Sequence, residues 1–164
     1  MHGANYSCGN GQPYTRREYI KGKPQIKIAK FQGGKRDDYD YCLQLLANEK
    51  IQIRHTAMEA ARLTANKAIE KSAGETGYAS KLRIFPHVLL RENKMIAAAG
   101  ADRLQEGMRR SFGKAVSLAA RVNVGQCIIE MHINGEHLTE AKKAMKNAAI
   151  KLPGIMSVKT IKLK

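Results

Sequence analysis

The sequence predicts an α+β fold: a largely antiparallel sheet with two α-helices packed on one side, plus a basic N-terminal arm and a long Gly/Arg loop. Three observations predict it. Two stretches repeat apolar residues at helical spacing, and each is closed by a glycine signal. Several shorter stretches alternate apolar and polar residues at strand spacing. The 29 Lys and Arg against 14 Asp and Glu give a formal charge of +15, concentrated at the two ends. A chain of 164 residues suits one domain, 1–164, with 1–23 as the arm and 100–114 as the loop.

The first 23 residues carry four glycines and no sustained period, so they read as an arm. Within it Tyr14, Arg16, Arg17, Tyr19, Lys21 and Lys23 interleave rings with cations, which suits stacking on bases and neutralising phosphates. The bland alternative is a disordered basic tail that orders only on its partner. Pro24 to Phe31 holds the alternation Ile26-Lys27-Ile28 and predicts a short strand, followed by a polar turn region from Gln32 to Asp40. The aspartates there match no calcium-loop spacing, so a solvated turn is expected. Tyr41 to Ile53 reads as strand material joined across Asn48-Glu49-Lys50.

Thr56-Ala57-Met58-Glu59 resembles a capping box that opens the first helix, and Gly74 stops it. Met58, Ala61, Ala65 and Ile69 mark its buried face; Arg62, Asn66, Lys67 and Lys71 are expected on a solvated one. Tyr78 to Arg91 alternates again, broken by Pro86. Ser117 to Val124 and Gln126 to Ile133 predict two strands about Gly125. The second helix runs from about Glu136 to Leu152, with Leu138, Ala141, Met145, Ala148 and Leu152 buried and three lysines outward. Pro153-Gly154 ends it, and Ile155 to Lys164 predicts a basic edge strand.

Residues 1–36 hold eight basic residues against one acid, and residues 139–164 hold seven against one. Basic ends around a nearly neutral body favour a polyanionic partner, nucleic acid before an acidic membrane surface. No run of about 18 apolar residues occurs, so no membrane span is expected. The cysteines Cys8, Cys42 and Cys127 are odd in number and lack C-x-x-C spacing, which argues against a zinc ribbon and a disulfide framework and fits a reducing setting.

Between the strands lies Gly100 to Lys114, GADRLQEGMRRSFGK, with Arg103, Arg109, Arg110, Lys114 and the single aromatic Phe112. Arginine forks grip phosphate oxygens, and an exposed Phe can stack on an unpaired base. On composition alone, a solvated loop or a frayed helix with Leu104 and Met108 against the core is an equal alternative. The run Ala101-Asp102-Arg103, Gly107-Met108-Arg109 and Phe112-Gly113-Lys114 resembles the signature of one ribosomal protein family. That family is large-subunit protein ten-e of archaea and eukaryotes, the counterpart of bacterial large-subunit protein sixteen. Pro13 to Ile20, Glu59-Ala60-Ala61-Arg62 with Ala65-Asn66-Lys67, Asn93-Lys94-Met95, and Ala120-Arg121-Val122 with Gly125-Gln126 extend the resemblance in order along the chain.

The resemblance implies an α+β sandwich that binds large-subunit rRNA, with its loop near the A-site and P-site tRNA and the peptidyl transferase region. It implies neighbouring ribosomal proteins as further partners and a cytoplasmic location. Arg103, Arg109, Arg110, Phe112 and Lys114 would be the loop's RNA-binding residues, and Arg16, Arg17 and Tyr19 would lie on the arm. The lack of a long C-terminal extension points to the archaeal branch. Two departures stand out. Ala115-Val116-Ser117-Leu118 replaces the family's usual Pro and Gly-Thr pair after Phe-Gly-Lys, and the first residues are poorer in Arg and Lys.

No catalytic set is legible. His2, His55, His87, His132 and His137 form no H-x-x-x-H pattern, and the glycines fit no phosphate-cradle spacing. The expectation is a binding protein, not an enzyme, with no cofactor, metal or small-molecule substrate. A free-standing RNA-binding or RNA-modifying protein is the alternative, and a membrane-surface protein ranks third, lacking bulky apolar residues behind its helix lysines.

Overall fold

The computed structural model describes residues 6–9, 11–35, 37–94 and 106–163, and of Arg17 only the backbone. Eight strands pair wholly antiparallel in two sheets among these residues. Gln32–Gly34 (β1), Tyr78–Leu82 (β4), Cys127–Ile133 (β7), Tyr41–Ala47 (β2) and Met156–Lys162 (β8) form the larger sheet, in that order across it. Ile51–Arg54 (β3), Lys114–Val122 (β6) and Val88–Glu92 (β5) form the smaller one. Helices His55–Ala73 (α1) and Leu138–Ala149 (α2) pack on each other and on the strands. The α+β prediction with two helices is borne out.

The alternation along β2 and β7 sends Leu43, Leu45, Ile129, Met131 and Ile133 into one core. From the helix side Met58, Ala61, Ala65 and Ile69 meet Ala141, Met145 and Ala148, all fully enclosed. The alanines matter because a methyl side chain lets two helices and a sheet approach closely while leaving no void. Leu152 remains buried beyond the end of α2, and Gly74 caps α1 with φ 70° and its N–H on the Glu70 carbonyl. As expected, β8 is an edge strand, and its Lys159 and Lys162 are exposed.

Several local expectations are corrected. Residues 24–31 join no ladder; Ile26 and Ile28 still point to the core, because alternation records burial and says nothing of a partner strand. The strand lies instead at Gln32–Gly34, inside the supposed polar turn. A Cβ on Gly34 would fall on the Tyr78 carbonyl, so this close strand approach requires glycine there. The capping box does not form. Arg54 is the N-cap, and Glu59 inside the helix is gripped by Arg62 through bonds of 2.9 and 2.7 Å. Arg62 and Asn66 are buried, not solvated.

Three strand pairs that follow closely in sequence are split between the sheets: β2 from β3, β4 from β5, and β6 from β7. The first and last of these crossings are tied together. Gly125 N–H donates to the Ala47 carbonyl (2.7 Å), and Ala47 N–H to that of Gln126 (3.1 Å). β6 also begins at Lys114, three residues before the predicted start, so Ala115 to Leu118 are strand and not loop exit.

Candidate nucleic-acid interface

The arm docks across the smaller sheet strand by strand. Gln52 N–H on β3 donates to the Ser7 carbonyl (2.7 Å), Arg121 on β6 donates through Nη1 to that of Gly11 (2.6 Å), and Leu89 N–H on β5 donates to that of Tyr14 (2.9 Å). Tyr6 packs on Val88, Leu90 and Ala119 and donates its hydroxyl to the Arg91 carbonyl (3.0 Å). Gln52 links the set, donating from Nε2 to the Tyr6 carbonyl and accepting from Arg121 Nε. Residues with no periodic pattern of their own are thus placed by backbone carbonyls.

This docking brings arm and loop together. The Arg91 guanidinium lies 3.9 Å from the centre of the Phe112 ring and 4.7 Å from that of Tyr14, and the two rings meet edge to face at 6.4 Å. A cation over two ring faces is held by their quadrupoles. Gly113 makes the approach possible: a Cβ there would lie 2.4 Å from the Glu92 backbone. Phe112 stays 73% exposed, so the ring that Arg91 steadies still offers surface to a ligand. Beside it, Lys114 stands opposite Glu92 in the β5–β6 ladder.

Around this cluster opens a cleft of about 460 Å³, lined among others by Tyr14, Tyr19, Lys21, Arg91, Phe112 and Lys114. A second cleft of about 480 Å³ lies under the arm, shared by Tyr6, Tyr14, Gln52, Arg91, Phe112 and Arg121. Five of the eleven residues predicted from sequence therefore converge on the first cleft. Arg16, Arg109 and Arg110 are exposed away from its lining, and Arg110 pairs with Glu106 at 3.2 Å. Lys23 lines a separate apolar groove with Leu89 and Leu118. Arg103 and the side chain of Arg17 lie outside the described residues.

The two readings of the loop are separated at its described end. Gly107–Arg110 is a single 3-10 turn with no buried residue, and Met108 is 86% exposed, so Met108 is not core. Leu104 lies outside the described residues. Sequence reasoning missed Arg91, Gln52 and Arg121. Arg91 and Gln52 sit in strands with no motif, Arg121 in a segment that carries only a family resemblance, and strand pairing alone places them beneath the arm. Burial pushes the Cys127 thiol up to about 11 and, with a hydrogen bond to Glu130, that of Cys42 up to about 12. Such thiols are poor nucleophiles. Among the described residues no helix is long and apolar enough to cross a membrane.

The sequence pattern of the family described as Ribosomal protein L16p/L10e matches residues 10–159. The chain is similar to large ribosomal subunit protein uL16 of Staphylothermus marinus, 52% identical over 149 residues that cover 90% of this chain and 86% of that protein. It is 49% identical to the uL16 protein of Hyperthermus butylicus, over 94% of this chain and 87% of that one. With the Sulfolobus acidocaldarius uL16 protein it shares 50% identity over 92% and 88%. Matched over nearly its whole length by both comparisons, the chain belongs to the L16p/L10e family of ribosomal proteins.

Proposed function

We propose that the chain is a structural constituent of the large ribosomal subunit, binding large-subunit rRNA through the face where arm, β5 and loop exit meet. The names of its relatives supply the assembly, and the +15 charge supplies the affinity for a polyanion. The observation that carries the choice of face is the cleft that gathers Tyr14, Tyr19, Lys21, Phe112 and Lys114 from two distant parts of the chain. Rings and cations in one cleft suit an unpaired base and its phosphates. Arg16, Lys23, Arg109 and Arg110, exposed outside that cleft, add further charge for phosphates on this reading, and Arg17 and Arg103 are proposed as RNA contacts with them. On this reading neighbouring ribosomal proteins are partners, and the loop reaches the A-site and P-site tRNA in cytoplasmic ribosomes.

The test is co-sedimentation. The chain should remain with the large subunit through a high-salt wash, and recovery only in the free pool favours a free-standing RNA-binding protein instead. The isolated chain should bind rRNA fragments with affinity that falls about 10³-fold or more between roughly 50 and 200 mM salt, if some six phosphates are engaged. A flat salt response removes the phosphate reading. The tRNA part is tested separately: ribosomes carrying Arg109→Ser and Arg110→Ser should bind A-site tRNA less well, and unchanged binding removes it.

A further inference from the structure

On the face of the larger sheet turned away from the helices, β2 and β7 bring together three potential metal ligands that are some ninety residues apart in sequence. Cys42 and His132 are direct partners in the antiparallel register, and Glu130 lies two residues from His132 on the same side of β7. Cys42 Sγ is 3.4 Å from Glu130 Oε1, His132 Nε2 is 3.5 Å from that same oxygen, and all three donor atoms lie within 4.8 Å of one another. We propose that Cys42, Glu130 and His132 form a binding site for one borderline divalent cation, Zn²⁺ first.

The geometry fits such an ion. Bonds of about 2.0–2.3 Å to nitrogen, oxygen and sulfur put tetrahedral ligands about 3.3–3.8 Å apart, the range already spanned by both contacts to Oε1. The remaining Cys42–His132 edge lies within 4.8 Å, and a swing of an imidazole that is 33% exposed can adjust it. The two carboxylate oxygens are divided in function. Oε1 faces the thiol and the imidazole, while Oε2 is held at 3.4 Å by Arg83, an outer partner that fixes a monodentate carboxylate. Thiolate and carboxylate together balance the charge of the ion. Glu130 and His132 also line a cavity of about 270 Å³, which leaves room for water as the fourth ligand. Sulfur with imidazole and carboxylate selects zinc-like ions over Mg²⁺ or Ca²⁺, which take oxygen alone.

Without the ion, the Cys42 thiol donates to Glu130, and the cluster is stable as a hydrogen-bonded group. Binding displaces the thiol proton, so affinity should rise with pH.

The experiment uses the full chain, stripped of metal and titrated with Zn²⁺, and with Co²⁺ as a reporter of sulfur ligation. One ion per chain should bind, with a sulfur-to-cobalt charge-transfer band and a raised melting temperature. Cys42→Ser and His132→Asn should each weaken binding by more than the ~10–100-fold that an outer partner is worth. Cys8→Ser should change nothing, since Cys8 is exposed and apart from the cluster. Circular dichroism checks that each variant folds, and His132→Asn keeps the test alive if Cys42→Ser does not. Absence of stoichiometric binding by the parent chain, or undiminished binding in a folded Cys42 or His132 variant, overturns the site.

Discussion

The inner face of the larger sheet is covered by two helices, whereas the face of the smaller sheet that carries Val88, Leu90 and Ala119 is covered by the arm, residues 6–9 and 11–14. The helix cover is apolar and continuous: Ala61, Ala65, Ala141, Met145 and Ala148 have no exposed surface. The arm cover is directional. It rests on the carbonyls of Ser7, Gly11 and Tyr14, the linking amide of Gln52, and a small apolar patch under Tyr6. Apolar burial stabilises without regard to partner, so the first region needs no RNA to hold its shape. Hydrogen bonds exchanged with water contribute only about 1 kcal/mol each, so the second can open locally while the core stays intact. The candidate interface is built on the region that is cheaper to open.

Breaking the stronger region should have the largest effect. Ile129→Ala or Met145→Ala removes a fully buried side chain and should destabilise the fold by ~2–5 kcal/mol in urea titrations. A loss near zero would mean that the helices are loosely seated and the contrast between the regions false. Arg121→Ala acts on the other side. It removes the contact to Gly11 and one partner of Gln52, and should reduce global stability by ~1–2 kcal/mol or less. Its sharper signature is local. The amides of Gln52 and Leu89, which donate to the arm, should exchange with solvent much faster, while that of Met131 stays protected. Equal acceleration everywhere would make the arm part of the main core.

The same contrast explains what could be read from sequence. Helix faces and strand interiors were legible because burial imposes a period: Met58, Ala61, Ala65 and Ile69, or Leu43 and Leu45, announce themselves. Partnership imposes none. Nothing around Asn48-Glu49-Lys50 or Gly125 tells that the chain is changing sheets, since a crossing and a hairpin present the same turn residues. Arg62 looked solvated because its burial depends on Glu59 closing a bidentate ion pair, an arrangement that the spacing permits and does not demand. The residues proposed for the interface, Tyr14, Tyr19, Lys21, Phe112 and Lys114, are legible through their chemistry. Arg91, which holds two of those rings, lies at the end of an ordinary strand and is visible only in three dimensions.

A smaller effect is expected where the two regions meet. His55 opens α1, accepts from Lys27 N–H at Nδ1 (3.3 Å) and meets Ser117 Oγ on β6 through Nε2 (3.3 Å). Burial first, then the charges of Lys27 and Arg54, holds its imidazole below the ordinary histidine range. The folded state thus favours neutral His55, and below the unfolded value of about 6.5 the unfolded chain binds more protons. The His55 contribution is fully present above that pH and is lost as pH falls toward and through the folded value. The urea midpoint should therefore fall between roughly pH 7 and 5 more steeply in the parent chain than in His55→Gln. Parallel curves would show that His55 takes up its proton equally in both states, as an imidazole open to water does.

The smallest effect on stability, and the most informative for function, is expected at Phe112. The ring is 73% exposed, with Arg91 over its face and Tyr14 meeting it edge to face, so Phe112→Ala should change stability by less than ~1 kcal/mol. If the cleft takes an unpaired base, the same variant should lose ~1–3 kcal/mol of affinity for an rRNA fragment. Because Phe112 carries no charge, the loss should appear at every salt concentration without altering the slope. Lys21→Gln or Lys114→Gln should instead lower the slope by about one counterion each. Arg91→Lys separates the remaining roles: it keeps the charge and removes the planar group that lies over both rings. Weaker binding at an unchanged slope would identify Arg91 as the support that presents Phe112 to the base. A Phe112→Ala chain that melts early would make the ring part of the arm's docking. One that melts normally and binds RNA as well as the parent would leave the cleft as a groove for phosphates alone.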